Sequence, residues 1–239
     1  MFFYLYDTFV LDKNNASTLD KVESRVIELG INGRVEKLKP LRNMKDLIEN
    51  GIKNDAHTIV VVGNDQSFLR AMQVVAQHTD CVIGYIPIIT SPLSELLGIP
   101  NAMEACDSLS RSITKSIALG KVNQTYSLRT LTAQLPPQTK LHCNAGWGIV
   151  TQTVQTQLTI ERHGEQLKID LQPEGQPAGF LRKPKLMHPT NLSVSKLTIT
   201  HPDLPISVLL DGTTALNCPV TCSTKSKALK VIVGKQRLI

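Results

Sequence analysis

The chain has 239 residues, of which 41% are apolar and 19% charged. This is enough apolar material for one large core or two small ones, and it excludes wholesale disorder. No stretch approaches the roughly 20 uninterrupted apolar residues of a membrane helix. The net charge of +6 is unevenly placed: residues 181–239 hold nine Lys/Arg against two Asp/Glu, whereas residues 1–180 are nearly balanced. An anionic partner would be felt most in that last quarter.

Phe2-Phe3-Tyr4-Leu5-Tyr6 has no basic flank and meets Asp7 at once, so it reads as a buried first strand, drawn as far as Val10, and not as a signal peptide. Cytoplasmic placement follows as an expectation. With it comes the expectation that the five cysteines (81, 106, 143, 218 and 222) are reduced core residues. Ser17 can cap a helix whose apolar side is Leu19, Val22, Val26 and Leu29, closed by Gly30. A short strand near Val35–Leu38 precedes a helix capped by Asn43, with Met44, Leu47 and Ile48 facing inward. Thr58–Val62 is continuously apolar and β-branched, the pattern of a strand covered on both faces. It runs into Gly63-Asn64-Asp65-Gln66-Ser67 and a helix with Phe68, Leu69, Met72 and Val75 inward. Val82–Ile86 repeats the buried-strand pattern. Strands alternating with helices at this spacing predict a parallel sheet covered by helices.

After about residue 122 helix periodicity fades. Val154–Ile160, Leu167–Leu171, Leu192–Ile199, Ile206–Leu210 and Leu229–Val233 alternate as short strands. Arg162-His163-Gly164-Glu165 reads as a hairpin turn, and Pro173 to Pro177 as a loop. The fold class is therefore α/β followed by all-β: an α/β domain over 1–122 and an antiparallel β-sandwich over 123–239.

Ligands of open parallel sheets bind beyond the carboxyl ends of the strands. Two loops leave buried strands there. In the first, Gly63 lets the chain turn, and the following helix offers free N–H groups to a phosphate. Asp65 there can accept ribose hydroxyls or organise a metal ion and its waters; alternatively, Asp65 and Ser67 cap the helix. In the second, Thr90 and Ser91 can donate to a phosphate or cap a helix starting near Leu93.

These loops carry a resemblance. Val60-Val61-Val62-Gly63-Asn64-Asp65-Gln66-Ser67 resembles the strand and GGDGT loop of the diacylglycerol kinase catalytic family, which shares a superfamily with sphingosine and NAD kinases. Residues 86–100 are similar to that family's P-L-G-T-x-N-D-F-A-R-x-L-G-I-P. Ile117 to Asn123 resembles I-D-L-G-x-V-N, Leu210-Asp211-Gly212-Thr213 resembles the DGE motif, and Ala228 to Val233 resembles A-L-K-V-L-V. The resemblance implies an NAD kinase-like three-layer α/β domain with a β-sandwich, ATP and Mg as cofactors, and a lipid hydroxyl as acceptor. It implies nucleotide contacts at Gly63, Asn64, Asp65, Gln66, Ser67, Thr90 and Ser91, and a catalytic part for Asp211.

The departures decide the expected activity. Two loop glycines are Asn64 and Gln66, and of these Asn tolerates positive φ better. The second loop has Ile89 for its glycine and Pro92 for its asparagine, and it lacks the aspartate. The junction acid is Ala118, the general-base glutamate is Thr213, and Tyr6-Asp7-Thr8 stands where an N-P-x-x-G phosphate loop belongs. A threonine hydroxyl cannot do a carboxylate's work as base, a loss on the order of 10²–10⁴ in rate. The expectation is a kinase-like protein with little or no kinase activity that retains nucleotide or lipid binding. The alternative is an active lipid kinase.

Phe180-Leu181-Arg182-Lys183-Pro184-Lys185 reads either as a solvated connection or as a peripheral contact with an anionic membrane. Nucleotide, lipid headgroup and a second copy of the chain are the partners these readings bring in; no nucleic-acid motif is present. His142 and Cys143 point to opposite faces of a strand and make no metal pair. Trp147 is expected to pack between sheets.

Overall fold

The computed structural model describes residues 1–39, 42–144, 146–151, 154–174 and 189–238. The chain divides into two compact units, Met1–Ile117 with Lys227–Ile239, and Ala118–Ser226.

The first unit begins with β1 (Phe2–Tyr6), α1 (Ala16–Glu28), β2 (Gly33–Lys37), α2 (Met44–Lys53), β3 (Thr58–Gly63), α3 (Asp65–Val75), β4 (Val82–Pro87), α4 (Pro92–Leu96) and α5 (Ala102–Arg111). Strand β1 stops at Tyr6, short of Val10, because the Asp7 carboxylate accepts from Phe9 N–H and starts a 3-10 turn over Thr8–Leu11. Helix α1 starts at Ala16 behind Asn15, so Ser17 lies in its first turn and does not cap it. Asn43 caps α2 as expected, accepting from Lys45 N–H at 3.0 Å.

The four strands are parallel in the order β2-β1-β3-β4. Alternation along β1 sends Tyr4 and Tyr6 to the side of α1 and α5, and Phe3 to the side of α2 and α3. The Tyr4 hydroxyl donates to Ile31 O at 2.6 Å, and a Cβ on Gly51 of α2 would meet the Phe3 ring at 3.0 Å. Ile59, Val60, Val61 and Val62 are all buried, as a strand between two helical layers requires.

The second unit is all-β. It contains the end of β5 (Thr114–Val122), then β6 (Thr125–Ser127), β7 (Thr130–Leu135), β8 (Lys140–Cys143), β9 (Gly148–Val150), β10 (Thr156–His163), β11 (Gln166–Pro173), β12 (Thr190–Val194), β13 (Lys196–Thr200), β14 (Ser207–Leu210), β15 (Thr214–Asn217) and the start of β16 (Val220–Ile232). Six strands form one sheet in the order β12-β11-β10-β7-β14-β15. Against it stand β9, β8, β13 and the first half of β16. Leu131, Leu158, Ile160 and Ile169 from the first sheet and Leu141, Leu197, Ile199 and Val220 from the second share one buried cluster. This is the sandwich. Gly164, at φ +62°, turns the β10–β11 hairpin where the sequence placed it.

Three features differ from the sequence reading. Leu192–Ile199 is two strands in different sheets, separated at Ser195. Leu229–Val233, read with the second domain of 123–239, belongs to the first unit, since Lys230 and Val231 pair in parallel with Val82 and Ile83. The chain then continues along α4: Gly234 N–H donates to Leu97 O and Leu238 N–H to Leu96 O, both at 2.9 Å. Only glycine suits this approach, because a Cβ on Gly234 would lie 1.7 Å from Gly98 O. Finally, Trp147 is 42% exposed on a turn with Gly146 at φ +77°, outside any core. Cys81, Cys106, Cys143 and Cys222 are buried, Cys218 is half-buried, and all five thiols are free. No described helix is long and apolar enough to cross a membrane.

Candidate functional site at the strand exits

The order β2-β1-β3-β4 reverses direction between β1 and β3, which makes their carboxyl ends the switch point where open α/β sheets hold ligands. Three loops leave the sheet there: Asp7-Thr8 after β1, Asn64-Asp65 after β3, and Ile88 to Ser91 after β4. Ile88 N–H donates to Gly63 O at 3.1 Å and ties the last two together.

The polar side chains of these loops bond to one another. Asn64 caps α3: its Oδ1 accepts from Ser67 N–H at 2.9 Å and from the Ser67 hydroxyl at 3.0 Å. Ser67 is 2% exposed, and its hydroxyl also reaches the Asp7 carboxylate, joining the exits of β1 and β3. Asp7 accepts further from the Thr8 hydroxyl and Phe9 N–H. Asp65 stands at the first position of α3, and its Oδ1 accepts from the Tyr85 hydroxyl at 3.0 Å and the Ser91 hydroxyl at 2.5 Å. Burial, reinforced by the Asp65 charge, pushes the Tyr85 phenol far above its ordinary range, so it remains a donor.

Asn64, Asp65, Ser67 and Ser91 come together in one cluster. Gly63 sits against it, since a Cβ there would meet Ser67 at 3.1 Å and Asp7 at 3.3 Å. Gln66 is exposed on α3. The Thr90 hydroxyl turns away to Pro100 O at 2.7 Å, while Ser91 caps α4 in a reciprocal pair with Ser94. The helix-capping alternative holds in altered form, with Asn64 as the cap. Asn64 has φ −112°, an extended backbone, so the residue in the place of a loop glycine needs no left-handed conformation.

Negative charge already stands at the start of α3. A helix N-terminus attracts anions through free N–H groups and its dipole. Here Asn64 takes one N–H of α3 and the Asp65 carboxylate already sits at the positive end. Asp7 adds a second negative charge, and the donors to both carboxylates are hydroxyls and one backbone amide. Mg is ordinarily held by one or two carboxylates together with phosphate oxygens and waters, so Asp7 and Asp65 are the residues here that could hold it. Among the described residues no group of three or more His, Cys, Asp or Glu is gathered as a metal site.

Asp211 and Thr213 lie in the second unit, on the turn from β14 to β15. Asp211, at φ +47°, and Gly212, at φ +69°, make that turn tight. The Asp211 carboxylate accepts four bonds: from the Ser127 hydroxyl at 3.0 Å and from the N–H groups of Leu128, Arg129 and Thr130 at 2.7, 2.8 and 3.0 Å. Its lone pairs close the loop from β6 to β7. Thr213 is exposed, with its N–H on Leu210 O at 2.9 Å. Arg182, Lys183 and Lys185 lie outside the described residues. Asp7 and Tyr85 are the site members that the motif reading missed. Their only local signals are an acid immediately after a strand and a polar-tipped aromatic inside an apolar run.

No protein-family model and no curated protein matches the sequence. Solved structures do. A diacylglycerol kinase from Bacillus anthracis str. Sterne superposes with a TM-score of 0.74 at 13% identity, over 98% of this chain and 97% of that one. An NAD kinase from Archaeoglobus fulgidus, in complex with ATP, gives 0.61 at 14% identity, over 100% and 96%. The likeness is one of fold: this chain shares its architecture with that diacylglycerol kinase and that NAD kinase.

Proposed function

We propose that this chain carries a kinase-like fold without kinase chemistry and works as a non-catalytic binding protein. The observation behind this reading is that the carboxylates at the motif positions are spent inside the protein. Asp211 holds four donors and Asp65 two hydroxyls, while the base position is the hydroxyl of Thr213. Phosphoryl transfer needs metal-held phosphates and a base at the attacking hydroxyl. The second is not supported by these residues. Both hydroxyls fall on Asp65 Oδ1, and the capacity left on its second oxygen suits a ligand hydroxyl, either the ribose of a nucleotide or that of a lipid headgroup.

The test is transfer of labelled γ-phosphate from Mg-ATP to diacylglycerol or sphingosine in mixed micelles. No turnover above background is expected. Turnover of about 1–100 per second would establish the alternative, an active lipid kinase. Calorimetry with Mg-ATP and with adenosine, repeated on Asp65→Ala, separates ligand binding from a purely scaffolding role. Heat of binding lost in the variant marks the strand exits as the site.

A further inference from the structure

The second unit holds a different polar cluster. Along β10, Leu158 and Ile160 face the sandwich core, and Arg162 takes the next inward position. Along β7, Leu135, Ala133 and Leu131 do the same, and Arg129 stands exposed on the bend just before the strand. The two strands pair up to Glu161 opposite Thr130, so Arg162 and Arg129 are neighbours one residue beyond. Where the pattern of β10 calls for one more apolar side chain, the sequence places Arg162, with Arg129 next to it in register. Like charges in adjacent register repel, and a break in binary pattern of this kind marks a site under a demand other than packing.

Both arginines line a cavity of about 20 Å³ whose floor includes Leu131 and Ile160 and whose rim includes Ser127 and Ser223. Arg162 Nε is buried and has no hydrogen-bond partner. The other such atom among the described residues, Asp170 Oδ1, alternates to the face opposite Ile169 and cannot serve it. Glu161 likewise alternates outward, opposite Lys168. Asp211 is nearby through Ser127, but four donors already occupy it. The Ser223 hydroxyl and the Arg129 guanidinium make no hydrogen bond among the described residues. A buried unpaired donor, an exposed arginine and a serine hydroxyl therefore border a cavity large enough for a single oxygen atom, with space for the rest of a group at its open mouth.

We infer that Arg129 and Arg162, with Ser223, form an oxyanion site in the sandwich unit that takes a phosphate group, one oxygen seated against Arg162 Nε. Planar guanidinium forks match phosphate oxygens, and an anion between the two arginines removes their repulsion. The site is independent of the strand-exit loops, so it stands or falls separately from the absence of phosphoryl transfer. The phosphate belongs either to a soluble ester or to a lipid headgroup, and two arms of one experiment tell them apart.

In the first arm, inorganic phosphate is titrated into the full chain by calorimetry at ionic strength matched with chloride. In the second, the chain is sedimented with phosphatidylcholine vesicles containing or lacking phosphatidic acid. Binding is expected in at least one arm, weakened about tenfold by Arg162→Gln, severalfold by Arg129→Gln, and unchanged by Lys168→Gln on the outward face. Binding in the soluble arm alone identifies a free phosphate ester, and binding in the vesicle arm alone a headgroup. No binding in either arm, or binding indifferent to both arginine variants, overturns the site. Should Arg162→Gln fail to fold, the exposed Arg129 decides: its variant must fold and bind severalfold more weakly.

Discussion

The strand exits of the first unit and the arginine pair of the second answer opposite questions about polar groups. At the exits Asp7, Asn64, Asp65, Ser67, Tyr85 and Ser91 satisfy one another, and a closed network of this kind rigidifies more than it recruits. Around Arg162 a buried donor is left without a partner. The lesson is that resemblance locates where a family does its chemistry, whereas unmet hydrogen-bonding capacity locates where this chain can still take a ligand.

Four measurements sharpen or break that contrast. The largest effect is expected from Asp211→Ala, which strips four donors of a charged acceptor at once. The sandwich should lose on the order of 3–4 kcal/mol in denaturant unfolding. A variant that keeps its stability yet loses ligand binding would return Asp211 to a functional part. Gly63→Ala should cost about 1–3 kcal/mol, because its methyl group meets Ser67 and Asp7 at 3.1–3.3 Å. Asn64→Ala, measured the same way, should cost about 1 kcal/mol through the lost cap, and Asn64→Gly only a few tenths. The smallest effect concerns catalysis. Rebuilding the motifs with Asn64→Gly, Gln66→Gly and Thr213→Glu together should leave γ-phosphate transfer at background, because Asp7 still fills the exit of β1. Appearance of turnover would show that the loop substitutions alone had silenced an intact site.

The alkaline limb of stability offers an independent check on burial. Desolvation lifts the Cys81 and Cys106 thiols from an ordinary 9.0 to about 11, and Cys222 to about 12. A folded-state pKa above the unfolded one means that the native state holds the proton longer. The contribution is thus complete below pH 9 and fades as the pH rises toward 12. The melting temperature should fall across that window, and less steeply in Cys222→Ala than in the parent.

Much of the fold was legible because its signals are local. Thr58–Val62 and Val82–Ile86 announce buried strands by composition, and Asn43 and Gly164 mark a cap and a turn by type. What escaped was decided at long range. Alternation through Leu192–Ile199 is the same whether one strand or two are present, and it cannot say that Val194 and Leu197 serve different sheets. The site shows the same divide. Asn64 and Ser67 are three residues apart and read as a cap, whereas the bond from Ser67 to Asp7 spans 60 residues. Asp211 matched a catalytic motif by sequence. Its four donors lie more than 80 residues upstream, beyond any pattern in the text.

Strand β16 has a consequence for how the chain is made. Its first half completes the sandwich beside β13, and its second half pairs in parallel with β4. On a ribosome, residues 118–226 emerge as an uninterrupted stretch that can close on itself. The first unit, although residues 1–117 precede that stretch, waits for residues 227–239 to arrive. Synthesis order and completion order are therefore reversed, and the early-made sheet carries an open edge at β4 until the second half of β16 is made.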